Sequence, residues 1–226
     1  MVNEVPECIG IILDGNRRWA KENGKPAMEG HLRGKENIEP IVLAARDIGI
    51  RHIAVYAFST ENWKRSEEEV SYLMDIFEAM TKDDIRRLAK EGVAVRFVGQ
   101  RERFRPSLQA LMNETEAQSP AQPRITLWIC LSYGGRAEII QAVERLVAQD
   151  EAVTEESLAK NLWTTGMPDP DLIIRTGGAK RLSNFLLWQS AYSELFFVDK
   201  HWPQFTPEDL KIVVDEYIER ERRMGK

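Results

Sequence analysis

The sequence predicts an α/β domain built on a central, mainly parallel sheet of six strands flanked by helices, and three observations lead there. Short apolar runs recur along the chain, and stretches of helical periodicity lie between them. The 226 residues suit one core, since a core grows to about 250 residues before a chain divides. Strands alternating with helices select parallel pairing through right-handed crossovers. Residues 1–226 are therefore expected to form a single domain.

The strands are expected at "CIGIIL" (8–13), "HIAVYAF" (52–58), "VAVRFV" (93–98), "ITLWICL" (125–131), "DLIIR" (171–175) and "ELFFV" (194–198). Their near-continuous apolar character fits strands covered on both faces, where the polar alternation of a half-exposed strand is lost. After the first strand, a helical stretch follows His31. The segment 66–92 predicts one long helix, with Ser66 as N-cap, Glu69 completing a capping box and Gly92 as the stop. Val70, Leu73, Phe77, Met80 and Leu88 give it one apolar stripe. Further helices are expected after Pro106, Arg136 and Thr154, and "EAQSPAQPR" (116–124) reads as a surface loop. The last helix opens with Thr206 as cap and Pro207 in its first turn.

The net charge of −5 argues against nucleic-acid affinity, which draws on basic surface meeting phosphate. Cys8 and Cys130 lie in apolar strands and are expected to pack as small hydrophobes. The N-terminal "MVNEVPECIG" lacks a signal peptide's basic start and long apolar region, and no apolar run approaches the ~20 residues that span a bilayer, so a cytoplasmic protein is expected.

In parallel α/β sheets ligands bind beyond the carboxyl ends of the strands. There the sequence places "DGNRRW", "STENWKR", "GQRERFR", "SYGGR" and "RTGGAKRLS", each with Arg. Arg grips phosphate oxygens bidentately, and Gly lets backbone N–H groups approach them, so the set suggests a phosphate site. Asp14 among arginines would repel such a ligand unless a divalent cation joins them: Mg²⁺ takes one or two carboxylates and fills its shell with substrate oxygens. Asp14 also suits a helix N-cap or a turn. No G-x-x-x-x-G-K-[ST] is present, which sets aside an ATPase reading, and no G-x-G-x-x-G follows the first strand, so a nucleotide- or flavin-binding module is suggested by the sheet topology alone. His52 and His201 are expected to be structural, whereas His31 is placed to donate to a phosphate.

"DGNRRWA", "GHLRG", "YAFSTENWKR", "YGGR", "RTGG" with "RLSNFLLWQ", and "YSELFF" resemble, in order and spacing, the cis-prenyltransferases, most closely bacterial undecaprenyl diphosphate synthases. The resemblance runs from about Cys8 to Gly225. It implies a homodimer that adds isopentenyl diphosphate units to an allylic diphosphate, typically farnesyl diphosphate, with Mg²⁺. An apolar tunnel would hold the growing chain. By resemblance Asp14 is a Mg²⁺ ligand, and Gly15, Asn16, Arg17, Arg18 and Trp19 hold the allylic diphosphate or its first isoprene unit, with His31 as a further donor. Ser59, Thr60, Glu61, Asn62, Trp63 and Arg65 correspond to a mobile loop that positions both substrates. Asn62 matches the family's proton acceptor, but an amide is too weak a base, so it is expected to orient a diphosphate oxygen or water that takes the proton. Arg175, Arg181, Leu182 and Ser183 correspond to the isopentenyl diphosphate site, Glu194 to a second Mg²⁺ ligand, and "RMG" (223–225) to a C-terminal segment reaching the partner subunit.

Two positions depart from the family: Ala27 stands where many members carry Arg, and Ala179 where most carry Glu. Lys25 or Arg33 would offset the first loss. Small Ala57, with Leu73, Ile76 and Phe77, suits a tunnel for a long product. Trp128 would shorten the product if its indole entered that tunnel. A short-chain or branching synthase is the alternative within the fold. A non-catalytic subunit is a further alternative, disfavoured because the Asp and Arg of the first loop are present. Release of so apolar a product implies peripheral contact with the inner face of the membrane.

Overall fold

The computed structural model describes residues 4–79 and 82–220. Among them run six strands, β1 (Cys8–Ile12), β2 (His52–Ser59), β3 (Val93–Val98), β4 (Ile125–Tyr133), β5 (Leu172–Arg175) and β6 (Glu194–Phe197). They form one sheet in the order β3-β4-β2-β1-β5-β6, and every neighbouring pair is parallel. β1 lies between β2 and β5, so the chain moves out to one side of β1 and later returns on the other. Such a reversal opens a crevice beyond the strand ends. Asp14 follows β1 there, and Arg175 ends β5 level with Ile12.

The helices are α1 (Asn16–Glu22), α2 (Ala27–Glu36), α3 (Ile38–Ile48), α4 (Glu67–Glu78), α5 (Lys82–Lys90), α6 (Pro106–Ala117), α7 (Gly135–Ala148), α8 (Glu155–Asn161) and α9 (Pro207–Glu219). Successive strand residues face opposite sides of the sheet. Ile9, Ile11, Val55, Leu127 and Ile129 pack on one side against α3, α4, α6 and α9. Cys8, Ala54, Tyr56, Trp128 and Cys130 pack on the other with Ile173, Phe185 and Leu186. Both cysteines are thus buried and unbridged, as expected. Burial pushes both thiols far up in pKa, so they stay protonated. Behind the second face, the fully buried Glu138 accepts from the Tyr133 hydroxyl (2.5 Å), Gln189 Nε2 (3.0 Å) and the Thr164 backbone N–H (3.1 Å). A buried carboxylate requires such donors.

Two expectations are corrected here. The helix expected over 66–92 is two helices: α4 ends at Glu78 with Ala79 as C-cap, α5 starts at Lys82, and Met80 lies outside the described residues. A straight helix of that length would run about 40 Å at 1.5 Å per residue, roughly twice the length of a six-residue strand. The break lets α4 pack on α2 and α6 while α5 packs on β3. Trp128 does not enter a tunnel: it faces the second side of the sheet and its Nε1 donates to His52 Nδ1 at 3.2 Å.

Candidate active site

Thr176 and Trp202 hold Asp14 beyond the end of β1. The Thr176 hydroxyl accepts from the Asp14 N–H (3.0 Å) and donates to its carbonyl (2.8 Å), which also accepts from the Trp202 N–H (3.0 Å). Trp202 is itself fixed by its indole N–H on Gly34 O (2.7 Å). Asp14 is not the helix cap. Gly15 takes that place with φ 107°, a left-handed conformation, and a Cβ there would lie 2.5 Å from His201 Nδ1. A Cβ on Gly30 would lie 2.1 Å from Asn16 O, so only glycine lets α2 approach α1 closely enough to bring His31 beside Asn16.

The Asp14 carboxylate is therefore free for side chains. Arg175 Nη2 donates to Oδ2 (2.8 Å) and Arg18 Nη2 to Oδ1 (3.1 Å). Burial alone would raise its pKa, but the bond and charge of Arg175 and the charge of Arg18 outweigh that and hold the carboxyl below its ordinary value. Arg175 is 4 % exposed. Its Nη1 donates to Arg181 O (2.6 Å) and Ser183 Oγ (2.7 Å), and its buried Nε has no partner among the described residues. Ser183 and Asn184 both carry positive φ, 50° and 67°. Such strain at non-glycine residues persists where the surroundings over-determine it. Asn184 does so: Nδ2 donates to Glu61 Oε1 (2.9 Å) and Oδ1 accepts from the Arg136 N–H (2.9 Å).

After β2 the chain makes a 3₁₀ turn, Thr60–Lys64, in which the Ser59 N–H donates to Asn62 Oδ1 at 3.0 Å. That leaves the Asn62 Nδ2 hydrogens as its free hydrogen-bonding capacity, the polarity of a group that orients an oxygen. Arg65 and His31 converge on Glu69, with Arg65 Nη1 2.9 Å and His31 Nε2 3.1 Å from Oε1, while Arg17 Nη1 lies 3.7 Å from Oε2. Burial, then the Arg65 charge, lowers the His31 pKa despite Glu69, favouring the neutral imidazole. In the neutral ring Nε2 carries the proton towards the Glu69 carboxylate and Nδ1 is left an acceptor, so the expected donation to a phosphate requires the protonated ring.

These groups wall a cavity of about 1190 Å³. Of the residues expected in the site, Asp14, Gly15, Asn16, Arg17, Arg18 and His31 line it, as do Ser59, Glu61, Asn62 and Arg65, and Arg175, Arg181 and Ser183. Leu13, Asn16, His31, Ala57 and Leu73 also line a second cavity of about 110 Å³, which continues past Ile76, Phe77, Phe97 and Leu111. A polar chamber thus adjoins an apolar one across a shared wall, with the expected Ala57, Leu73, Ile76 and Phe77 on the apolar side.

Other expectations are not met. Glu194 is level with Leu172 and Ile9, towards the other end of the strands from Asp14, and its carboxylate pairs with Arg220 at 2.7 Å. Trp19 and Thr60 are off the cavity wall; Lys25 Nζ sits 5.8 Å from the Trp19 ring, and Thr60 Oγ1 bonds Glu61. Trp63 anchors its turn instead, donating to Ser132 Oγ (2.8 Å) and packing edge-on to Phe58. Leu182 packs against the second core. Two of the five arginine loops do not face the cavity. Arg101 pairs with Glu116 and Arg105 with Glu78 and Asp75, while the start of α7 is closed by Asn184. Ala27 is on the wall beside Lys21 and Lys25, whereas Arg33 pairs with Glu36 off it. Residues 223–225 lie outside the described residues. Sequence reasoning missed Tyr56, Lys21, Asn184 and Glu69. Only Tyr56 had a local signal, a hydroxyl in an apolar strand that needs a partner, here Tyr133 O at 3.1 Å.

The prenyltransferase family described as "Putative undecaprenyl diphosphate synthase" matches residues 12–225. The isoprenyl transferase of Agrobacterium fabrum is 44% identical over 230 residues, covering 99% of this chain and 93% of that protein. That of Thermotoga maritima is 44% identical over 226 residues, covering 98% and 97%. Among solved structures, lavandulyl diphosphate synthase from Lavandula x intermedia, in complex with dimethylallyl diphosphate, superposes with TM-score 0.94 at 33% identity, covering 98% of this chain and 99% of that one. A "probable undecaprenyl diphosphate synthase" from Campylobacter jejuni gives TM-score 0.84 at 29% identity, covering 99% and 100%.

Proposed function

The chain belongs to the undecaprenyl diphosphate synthase family of cis-prenyltransferases, and from that premise we propose that it condenses isopentenyl diphosphate units onto farnesyl diphosphate to give a long polyprenyl diphosphate. The observation that carries this reading is the joined pair of cavities. One is ringed by Arg17, Arg18, Arg65, Arg175 and Arg181, and the other is apolar, as a diphosphate head on a hydrocarbon tail requires.

In this reading the two diphosphates share the polar chamber. Arg17, Arg18 and, once its ring is protonated, His31 hold the allylic one, and Arg175, Arg181 and Ser183 the other. The allylic C–O bond ionises and the arginines meet the charge that grows on the departing diphosphate. The double bond of isopentenyl diphosphate then attacks the allylic carbon, and loss of one proton from the adduct restores a neutral chain. Asn62 orients the oxygen that takes that proton. Tyr56, buried with a strongly raised pKa, stays a neutral hydroxyl.

Asp14 suits Mg²⁺ of the kind that takes one protein carboxylate and completes its shell with substrate oxygens. Among the described residues no group of three His, Cys, Asp or Glu side chains stands close enough to cage a metal alone. Bound there, Mg²⁺ would neutralise the leaving diphosphate. The homodimer is part of the same proposal, checked by light scattering of the purified protein. So are cytoplasmic action and peripheral membrane contact; no described helix is long and apolar enough to cross a membrane.

The test is product chromatography with farnesyl and isopentenyl diphosphates, with and without MgCl₂. Long cis products formed only with the metal are expected. No condensation in either condition would overturn the reading, and products ending after one addition would limit it to a short-chain synthase.

A further inference from the structure

We propose that Glu69 is the positioning residue for one wall of the diphosphate chamber: its carboxylate, standing behind the wall, holds Arg65 and His31 in the attitude in which they meet an allylic diphosphate. This rests on the function proposed above. Glu69 does not line the cavity, whereas Arg17, His31 and Arg65 all do. Its side chain is only 13 % exposed, against 29 % for Arg65 and 61 % for Arg17. A carboxylate in front of these groups would compete with a diphosphate. Behind them, it takes one donor of Arg65 and the Nε2 proton of His31, fixing both groups, and leaves the remaining Arg65 N–H groups for the chamber. Arg65 comes from the turn after β2, His31 from α2 and Arg17 from α1, so Glu69 joins three elements that no strand or helix bond connects.

Its place on α4 adds a second consequence. Leu73, Ile76 and Phe77 follow Glu69 at the i+4, i+7 and i+8 positions of one helix face, and all three line the apolar cavity. One helix therefore carries the brace of the head-group wall and the wall of the tail cavity in a fixed relation. The carboxylate is dispensable for the helix start, because the cap bond to Ser66 Oγ is made by the Glu69 backbone N–H at 3.3 Å. Substituting the side chain should leave α4 folded.

The test uses Glu69→Ala and Glu69→Gln in the full chain, with steady-state kinetics for each substrate, calorimetric titration with inorganic diphosphate, and thermal melts. For Glu69→Ala the KM for farnesyl diphosphate should rise about tenfold, the scale of one lost charge-assisted hydrogen bond. Its KM for isopentenyl diphosphate and its kcat should stay within about threefold of wild type. Glu69→Gln, which keeps an acceptor for Arg65, should recover most of the affinity, and inorganic diphosphate should follow the same ranking. Unchanged KM values would overturn the proposal. Equal rises for both substrates with a lowered melting temperature would also overturn it, by marking a general structural role. If wild type turned over neither substrate, the functional reading would fail on its own, and the inorganic diphosphate ranking would still decide the role of Glu69.

Discussion

Two carboxylates organise the chamber, and they differ in where they stand. Asp14 is bracketed by Arg18 and Arg175 and lines the cavity; Glu69 is bracketed by Arg17 and Arg65 and lies behind it. The ion-pair chemistry is the same, yet one carboxylate faces any ligand and the other only the groups that face it. The surroundings differ as well. Asp14 is pinned by Thr176, next after β5, and by Trp202, while Glu69 sits on α4, which packs on α2 and α6. The sheet thus supplies one wall and the helices the other.

The largest test of that contrast is Asp14→Asn, which keeps shape and removes charge. If Asp14 faces the reacting diphosphate, kcat should fall about 10²–10³-fold, the scale of losing one preorganised electrostatic contact. Glu69→Gln should leave kcat nearly intact, so comparable kcat losses in the two variants would erase the distinction. Arg175→Lys comes next. Its fork holds Asp14, Arg181 O and Ser183 Oγ at once, a geometry that an ammonium cannot reproduce. A loss of roughly 10–100-fold in kcat/KM for isopentenyl diphosphate is expected from steady-state rates.

Which parts of this were legible in the sequence follows from how local each signal is. The strands were, because a strand covered on both faces shows as a continuous apolar run. α1 was not: Ala20 is its one buried residue, so no stripe marks it. The break after α4 carries no Gly or Pro to announce it. The residues around Asp14 and Arg175 were legible through the motifs that follow their strands, but Glu194 was misplaced because motif order says nothing of register. Arg101 and Arg105 were misread because their partners Glu116, Glu78 and Asp75 come from other elements. Glu69 was hidden in a different way: a capping box accounts locally for a Glu three residues after Ser66, and the carboxylate's two distant partners, Arg17 and His31, appear only in the fold.

A smaller effect concerns Ala27. Lys25 is on the cavity wall with Ala27 and Lys21, its Nζ 2.8 Å from Glu29. Lys25→Ala should raise the KM for farnesyl diphosphate about two- to fivefold, as removal of an exposed charge does, with kcat unchanged. The same substitution at Arg33, paired with Glu36 off the wall, should do nothing measurable to KM.

The smallest effect separates the two walls by pH. His31 and Asp14 both have folded pKa values below their ordinary ones, His31 by burial and Arg65, Asp14 by Arg175 and Arg18 against burial. For a depressed group the unfolded chain binds the proton first, so its stabilising contribution is present above the unfolded pKa and lost as pH falls through the folded one. The His31 contribution should therefore begin to fade below about pH 6.5, and the Asp14 contribution only below about pH 4. Each step is read as a fall in unfolding free energy with decreasing pH. Urea unfolding across this range, with a metal chelator present, should show two separate declines. His31→Gln should shrink the upper one, to which the half-buried His52 also contributes, and Asp14→Asn the lower one, to which Glu61 and Asp209 also contribute. A single decline abolished by both variants would mean that the two walls titrate as one network.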